Sequence, residues 1–170
     1  FYPPFKSNGQ ITKKCSIHKS SKIGKNVEIQ DGVIIKDNVQ IGDNSVICSN
    51  SVIGENVNIE DNVIIHDNCC IRNCFIGNNS EIQAGVILGS NGFGFAINKD
   101  NFDNFTHIGK VIIGNNVKIG SNSTIARGSL EDTIVGNNVR IDNQVHIAHN
   151  VKIGNNCMIA GQVGFAGSSI

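Results

Sequence analysis

The chain has 170 residues, with 14 basic and 14 acidic side chains, so its formal net charge at pH 7 is zero. A neutral chain lacks the basic field that holds a nucleic acid by its phosphates, which argues against that class of partner. No apolar run approaches the ~18 residues that a membrane-spanning helix needs. Only 16% of the residues are charged, whereas 25 are Asn and 28 are Ile. This bias toward two residue types makes an internal repeat the first pattern to test.

The first 16 residues carry no regular apolar spacing. They include the pair Pro3 and Pro4, the only prolines of the chain. Such a segment is typical of a linker. We therefore expect residues 1–16 to lead into an ordered domain that begins at residue 17.

From residue 17 onward an apolar residue, usually Ile, returns every six positions, with an Ile-Gly-x-Asn signature at many of the repeats. The positions are Ile17, Ile23, Ile29, Ile35, Ile41, Ile47, Ile53, Ile59, Ile65, Ile71, then Ile76, Ile82 and Leu88, then Ile113, Ile119 and Ile125, and finally Val135, Ile141, Ile147, Ile153 and Ile159. A period of six excludes an amphipathic helix, whose apolar stripe returns every three or four residues. The repeat therefore predicts a different regular structure.

Six-residue spacing fits short strands that are joined by tight corners, with one inward apolar side chain per strand. Gly and Asn suit the corners because they tolerate positive φ. Three such sides close a triangular coil of about 18 residues, and roughly 22 repeats predict about seven coils. The predicted fold is an all-β, parallel β-helix of hexapeptide repeats. Its handedness does not follow from the period, and parallel crossovers are normally right-handed.

The ends of a β-helix expose open strand edges, which require caps. Neither end of this chain shows a capping segment, and the chain does not begin with Met. We therefore expect a β-helix domain over residues 17–170 that is truncated at both ends.

Six cysteines raise the question of disulfides or a metal site. Their spacing is too irregular for a secreted disulfide scaffold. The group Cys69, Cys70 and Cys74 lacks a second pair or a nearby His pair to complete a tetrahedral site. We expect small, reduced side chains in a cytoplasmic protein and no metal centre.

The first interruption of the repeat spans residues 89–107 and holds four of the eight Phe residues. Interruptions of a solenoid commonly form its binding features. One interpretation is a loop that folds back and buries its Phe side chains on the β-helix. The favoured interpretation is an extruded loop that shapes an apolar groove at a subunit interface, because an exposed aromatic cluster requires a partner or a ligand. Phe93 and Phe95 are then candidate binding residues.

The second interruption lies between Ile125 and Val135, and a polar segment with two histidines follows it. His146 and His149 stand three residues apart. They admit three interpretations: a zinc site, for which no third His is suitably spaced, two corner residues, or a general base with a polar neighbour. The other histidines, which are isolated in the sequence, are expected at the surface or at corners. They are His18, His66 and His107.

Four segments together resemble the UDP-3-O-acylglucosamine N-acyltransferases of the lipid A pathway. They are Gly-Phe-Gly-Phe-Ala at 92–96, Ala-Arg-Gly-Ser-Leu-Glu-Asp-Thr at 126–133, Ile-Asp-Asn-Gln at 141–144 and Ile-Ala-His-Asn at 147–150. The related O-acyltransferases of this pathway also carry Ile-Ala-His, so the aromatic loop favours the N-acyltransferases. The resemblance implies a left-handed β-helix, and a homotrimer with active sites between neighbouring subunits.

The resemblance also implies a reaction. A 3-hydroxyacyl group would move from the phosphopantetheine of acyl carrier protein to the 2-amino group of a UDP-linked, 3-O-acylated glucosamine, with no further cofactor. His149 matches the family's general base. Gly167 matches its oxyanion-hole glycine, and it follows His149 by 18 residues, which places it on the next coil. An orienting role for Glu131 or Asp132 is a further expectation. The candidate substrate-binding residues are Phe93, Phe95, Asn143, Gln144, His146 and Asn150.

Two other functions stay open at this point. Acetyl transfer from coenzyme A to a sugar nucleotide would use the same scaffold, and competition between the two acyl donors would separate the two reactions. A structural β-solenoid without activity is the non-enzymatic alternative, against which the aromatic loop and the paired histidines count. The sequence also departs from the family pattern, because Ala126 stands where an acid is expected. We further expect this sequence to be a fragment that lacks the family's N-terminal uridine-binding domain.

Overall fold

The computed structural model describes residues 5–99 and 101–170, so the first four residues of the predicted linker lie outside the described residues. The described chain forms 22 strands in three parallel sheets and a separate two-stranded hairpin. None of its residues forms a helix that is long and apolar enough to cross a membrane.

The three sheets are the walls of a triangular prism, and the chain visits them in turn. Wall I consists of β1 (Ser16–Ile17), β4 (Ile34–Ile35), β7 (Val52–Ile53), β10 (Cys70–Ile71), β13 (Ile87–Ser90), β18 (Thr124–Ala126), β21 (His146–Ile147) and β24 (Gly164–Phe165). Wall II consists of β2 (Lys22–Ile23), β5 (Gln40–Ile41), β8 (Asn58–Ile59), β11 (Cys74–Ile76), β16 (Val111–Ile113), β19 (Thr133–Val135) and β22 (Lys152–Ile153). Wall III consists of β3 (Glu28–Ile29), β6 (Val46–Ile47), β9 (Ile64–Ile65), β12 (Glu81–Ile82), β17 (Lys118–Ile119), β20 (Arg140–Ile141) and β23 (Met158–Ile159). The predicted parallel β-helix of about seven coils is confirmed.

Successive coils are in register along each wall. Ile17 pairs with Ile35, and this 18-residue step is the predicted length of a regular coil. The step shortens to 17 residues between Ile71 and Leu88, where the sequence repeat slips by one position. Because the hydrogen bonds between coils are parallel, residues that are one coil length apart in the sequence stack directly on each other.

The inward side chains of the three walls fill the prism. Ile47, Ile65 and Leu88 are completely buried, and the Val two positions before many of these residues points inward as well, as Val27 does before Ile29. Burial of each such Ile contributes about 1.5–3 kcal/mol relative to an exposed position. The repeated apolar column is thus the core of the β-helix.

The corners are formed by residues with positive φ, most of them Asn, with φ between 44° and 61°. Their side chains stack from coil to coil. Asn116 Nδ2 donates to Asn138 Oδ1 at 2.9 Å, and Asn138 Nδ2 donates to Asn156 Oδ1 at 2.7 Å. The Asn-rich composition therefore serves both the corner backbone and ladders of side-chain amides.

The first interruption leaves wall I after β13. Gly89 allows this departure with φ of 77°, where a Cβ would collide with the carbonyl oxygen of Arg72. The loop then forms an antiparallel hairpin of β14 (Phe95–Asn98) and β15 (Asn101–Asn104), whose residues are all exposed. An extruded loop was predicted here, and the structure has one.

Candidate active site

The extruded loop and a corner of wall I line an open cavity of about 580 Å³. Its lining residues are Phe93, Gly94, Phe95, Ile97, Phe102, Phe105, His107, Ser129 and His149. The rings of Phe93 and Phe95 meet edge to face with centroids 4.9 Å apart, and Phe93 remains 88% exposed. The loop therefore protrudes and forms an apolar groove, so the interpretation in which it buries its Phe side chains on the β-helix is wrong. The location of this groove at a subunit interface stays a prediction.

His149 follows β21 at the corner beneath this loop, and its side chain is half-buried. Its Nδ1 lies 2.9 Å from the Oδ1 of Asn150. Asn150 forms the corner itself, with φ of 61°. A corner Asn thus contacts the ring of the candidate base directly.

Hydrogen bonds around Asn150 fix the tautomer of His149. The Nδ2 of Asn150 donates to the carbonyl oxygen of Glu131 at 3.0 Å, which settles the orientation of the amide. Its Oδ1 accepts from the N–H and the hydroxyl of Ser129 at 3.1 and 2.8 Å. Because Oδ1 carries no hydrogen, Nδ1 of His149 must be the donor in their contact. Nε2 of the neutral ring then holds a lone pair, as a general base requires.

Gly167 lies one coil beyond His149. The N–H of Ser168 donates to the carbonyl oxygen of His149 at 2.9 Å, which stacks the two corners. A Cβ placed on Gly167 would lie 2.7 Å from Nε2 of His149 and 2.8 Å from Cε1. The structure thus brings together the two residues that the 18-residue spacing paired, and their catalytic roles stay predictions.

His107 also lies in this site, so the expectation that it sits at the surface or at a corner is wrong. It is only 6% exposed, and its ring meets that of His149 with centroids 5.8 Å apart and an interplanar angle of 67°. The repeat gives no signal for it, because it lies outside the hexads. Its position as the last residue of the interruption is the available signal, since a loop that leaves and rejoins a coil brings its ends to the same region.

Several predicted binding residues do not line the cavity. Asn143 belongs to the preceding corner, where its Oδ1 accepts from the N–H of Ser121 at 2.7 Å, and Gln144 forms that corner with φ of 58°. His146 lies on the outer face of wall I, with Nδ1 2.7 Å from the hydroxyl oxygen of Thr124. Their part in substrate binding stays a prediction, whereas Phe93 and Phe95 do line the cavity.

The expected orienting role of Glu131 or Asp132 does not agree with the structure. Glu131 Oε2 pairs with Lys152 Nζ at 3.1 Å, and Asp132 Oδ1 accepts from the N–H of Lys110 at 2.6 Å. The coil that holds the second interruption is 22 residues long, as the pairing of Ile125 with Ile147 shows, so the 18-residue step that would stack Glu131 on His149 does not apply here. Asn150, and not an acidic side chain, therefore accepts the hydrogen bond from Nδ1 of His149.

All six cysteines are free. Burial raises the pKa of Cys69 to about 11 and that of Cys48 to about 12, so both thiols stay protonated at neutral pH and are poor nucleophiles and ligands. Within residues 5–99 and 101–170, no three His, Cys, Asp or Glu side chains come together in a way that could hold a metal ion.

Two models of hexapeptide-repeat families match the sequence. The bacterial transferase hexapeptide (six repeats) matches residues 14–49 and 132–167, and the hexapeptide repeat of succinyl-transferase matches residues 72–91 and 110–148. Together they cover about two thirds of the chain. The chain belongs to the hexapeptide-repeat transferases.

Four curated relatives of this hexapeptide-repeat protein share the name UDP-3-O-acylglucosamine N-acyltransferase. The protein of Dechloromonas aromatica is 52% identical over 89 residues, which is 52% of this chain and 26% of that protein. The protein of Ectopseudomonas mendocina is 49% identical over 94 residues, which is 55% of this chain and 27% of that protein. The chain thus spans about a quarter of the length of the curated relatives it matches.

Solved structures of UDP-N-acetylglucosamine acyltransferases share the fold. That of Bacteroides fragilis superposes with a TM-score of 0.64 and 32% identity, covering 94% of this chain and 54% of that one. That of Francisella novicida has a TM-score of 0.54 and 31% identity, covering 93% and 50%. The fold is therefore the left-handed parallel β-helix that the resemblance implied.

Proposed function

We propose that this chain is the catalytic β-helix of an N-acyltransferase that acts on a UDP-linked, 3-O-acylated glucosamine. The observation that carries the proposal is the hydrogen bond between Nδ1 of His149 and Asn150, which leaves Nε2 free to accept a proton beside Gly167 and next to an apolar cavity. The name shared by the curated relatives supports the choice of substrate.

The reaction starts when the 2-amino nitrogen of the sugar attacks the carbonyl carbon of an acyl thioester. Nε2 of His149 accepts the proton that the nitrogen loses as the C–N bond forms. The Nδ1–H of the resulting imidazolium continues to donate to Asn150, so the charged ring keeps its orientation. When the C–S bond breaks, the same proton passes to the departing thiolate, which leaves as a thiol and restores the neutral base.

The oxyanion of the tetrahedral intermediate requires a rigid donor, and the N–H of Gly167 supplies it in this proposal. That N–H makes no hydrogen bond to any residue in the described part of the chain. The absence of a side chain at Gly167 also lets the reacting carbon approach the backbone beside Nε2.

The aromatic cavity suits the acyl chain of the donor. Its walls are mainly Phe side chains, and its volume of about 580 Å³ is in the range of small-molecule sites. A long apolar chain fits this lining better than the acetyl group of acetyl-coenzyme A. We propose acyl carrier protein as the carrier of the chain, and a cytoplasmic homotrimer whose neighbouring subunit covers the exposed Phe93 and Phe102.

Replacement of the base tests the proposal in the full protein. His149→Ala is expected to lower kcat with acyl carrier protein thioesters by at least about 100-fold, since loss of a general base typically costs 10²–10⁴-fold. The variant should keep its melting temperature, because the ring is half-buried at a corner and is not part of the core.

His18→Ala is the matched control, because His18 is exposed and distant from the cavity on the first coil. It should keep normal turnover. Near-normal turnover of His149→Ala would refute the role of the base, and faster transfer from acetyl-coenzyme A than from the acyl carrier protein thioester would refute the proposed donor.

A further inference from the structure

The hydrogen bond of His107 to the backbone fixes its tautomer. Its Nδ1 lies 3.0 Å from the carbonyl oxygen of Phe105. A carbonyl oxygen can only accept, so Nδ1 carries the hydrogen and Nε2 of the neutral ring can only accept. His107 therefore offers one acceptor nitrogen to its surroundings.

That nitrogen has no partner in the described part of the chain, and it opens into the cavity. Nε2 of His107 makes no hydrogen bond there, although 94% of the residue's surface is buried. No fully buried side-chain nitrogen or oxygen of the described residues lacks a partner, so Nε2 must reach accessible space, and the cavity is the space that His107 lines. A side chain at position 92 would crowd this nitrogen, because a Cβ on Gly92 would lie 2.8 Å from Nε2.

The chemistry of the lining makes this acceptor unusual. The other lining side chains are Phe or Ile, except for Ser129 and His149. Ser129 already donates its hydroxyl hydrogen to Asn150 at 2.8 Å. Among the lining side chains, the Nε2 atoms of His107 and His149 are the two polar atoms that make no hydrogen bond within the described part of the chain. One is the candidate base, which leaves the other without an assigned role.

We propose that Nε2 of His107 accepts a hydrogen bond from a hydroxyl group on the acyl chain, so that His107 selects hydroxylated over unsubstituted acyl donors. The inference rests on the proposed acyl transfer and deepens it. An unsubstituted chain would displace water from Nε2 and leave a buried acceptor without a partner, which a site of this kind discriminates against. The contact between the two rings places this hydroxyl close to the reacting carbonyl, because His107 lies directly beside the base.

The test compares two acyl carrier protein thioesters, 3-hydroxydodecanoyl and dodecanoyl, in the full protein. The wild type is expected to prefer the hydroxylated donor in kcat/KM by about 10-fold to 100-fold. His107→Phe and His107→Asn should bring this ratio close to one, mainly by lowering kcat/KM for the hydroxylated donor. His107→Gln should keep most of the preference, because its amide oxygen can reach the position of Nε2, whereas the shorter Asn can replace only Nδ1.

His18→Phe is the control for the substitution itself, and it should leave the ratio unchanged. Equilibrium binding of 3-hydroxydodecanoic acid and dodecanoic acid repeats the comparison without turnover, so loss of the binding preference in His107→Asn supports the inference even if a variant is inactive.

The same ratio in all proteins would overturn the inference, as would an equal loss of turnover with both donors, which would assign His107 to the chemical step. A wild type that transfers neither chain but binds them with a His107-dependent preference would refute the proposed function alone.

Discussion

At the scale of single residues, the site depends on one amide. Asn150 fixes the corner backbone, receives the Nδ1–H of His149 and is itself held by Ser129 and the carbonyl oxygen of Glu131. A carboxylate at this position could also accept from Nδ1, but it could not donate to that carbonyl. An amide therefore sets both the tautomer of the ring and its own orientation without adding a charge to the site.

Gly167 provides a test of the space beside the base. In Gly167→Ala, the new Cβ would lie 2.7 Å from Nε2 of His149, so the ring must move. We expect kcat to fall on the order of 100-fold, which is the usual effect of misplacing a catalytic group by about 1 Å. The melting temperature should be unchanged, since Gly167 is exposed.

Gly164→Ala is a matched control from the same coil, because nothing lies within 4 Å of the position of its Cβ. Steady-state kinetics should therefore show a much lower kcat for Gly167→Ala than for Gly164→Ala. Equal activity of both variants would mean that the reaction does not use the space between Gly167 and His149.

At the scale of the elements, each corner combines a strained backbone position with a stacked side chain. Left-handed backbone conformation costs about 1–2 kcal/mol for an ordinary L-residue, less for Asn and least for Gly. The amide ladders add hydrogen bonds between coils, as in the column of Asn116, Asn138 and Asn156. The two contributions can be separated by substitution.

Asn138 is suited to this separation, because it is exposed and has φ of 58°. Asn138→Ala removes both ladder hydrogen bonds and places an alanine in the left-handed region, so we expect the free energy of unfolding to fall by about 1–2 kcal/mol. Asn138→Gly removes the same two hydrogen bonds but tolerates positive φ, so it should cost less. Urea unfolding measures both values, and an equal loss in the two variants would contradict the role of positive φ.

At the scale of the whole molecule, an ion pair and a hydrogen bond on the outer surface join successive coils of wall III. Glu81 Oε2 contacts Lys118 Nζ at 2.9 Å, and its Oε1 contacts His66 Nε2 at 3.1 Å. Burial raises the pKa of Glu81, but the hydrogen bonds from Lys118 and His66 outweigh it and hold the pKa below its ordinary value. The carboxylate therefore stabilises the folded state only while it is ionised.

The sign of this effect follows from the lowered pKa. The stabilisation is fully present above the unfolded pKa of about 4.3 and is lost as the pH falls through the lower folded pKa. Glu81→Gln should therefore be less stable than the wild type at pH 7, and the difference should shrink toward pH 3. Urea unfolding at the two pH values measures it. Glu55→Gln, which changes a carboxylate that has no ion pair among the described residues, should show no such pH-dependent difference.

The fold was predictable from the sequence because the repeat is local. Six residues form one side, and the inward Ile, the corner Asn and the 18-residue coil all follow from that period. The juxtaposition of His149 and Gly167 could be predicted for the same reason, since they lie on two regular coils with no interruption between them. The position of Glu131 relative to His149 could not be predicted, because the extra residues before Val135 change the strand register between the two coils.

The sequence alone determined the β-helix, its core and the pairing of the candidate base with a glycine. The physical reason is that hydrogen bonds between coils align residues that are separated by one full coil. Only the tertiary structure decided what surrounds that base. His107 reaches it at the end of a loop with no period, and the lone pair on Nε2 depends on hydrogen bonds from Ser129 and Asn150 across different coils. In segments that leave the regular coils, the side-chain contacts depend on the three-dimensional course of the backbone, and the number of residues between two positions no longer predicts them.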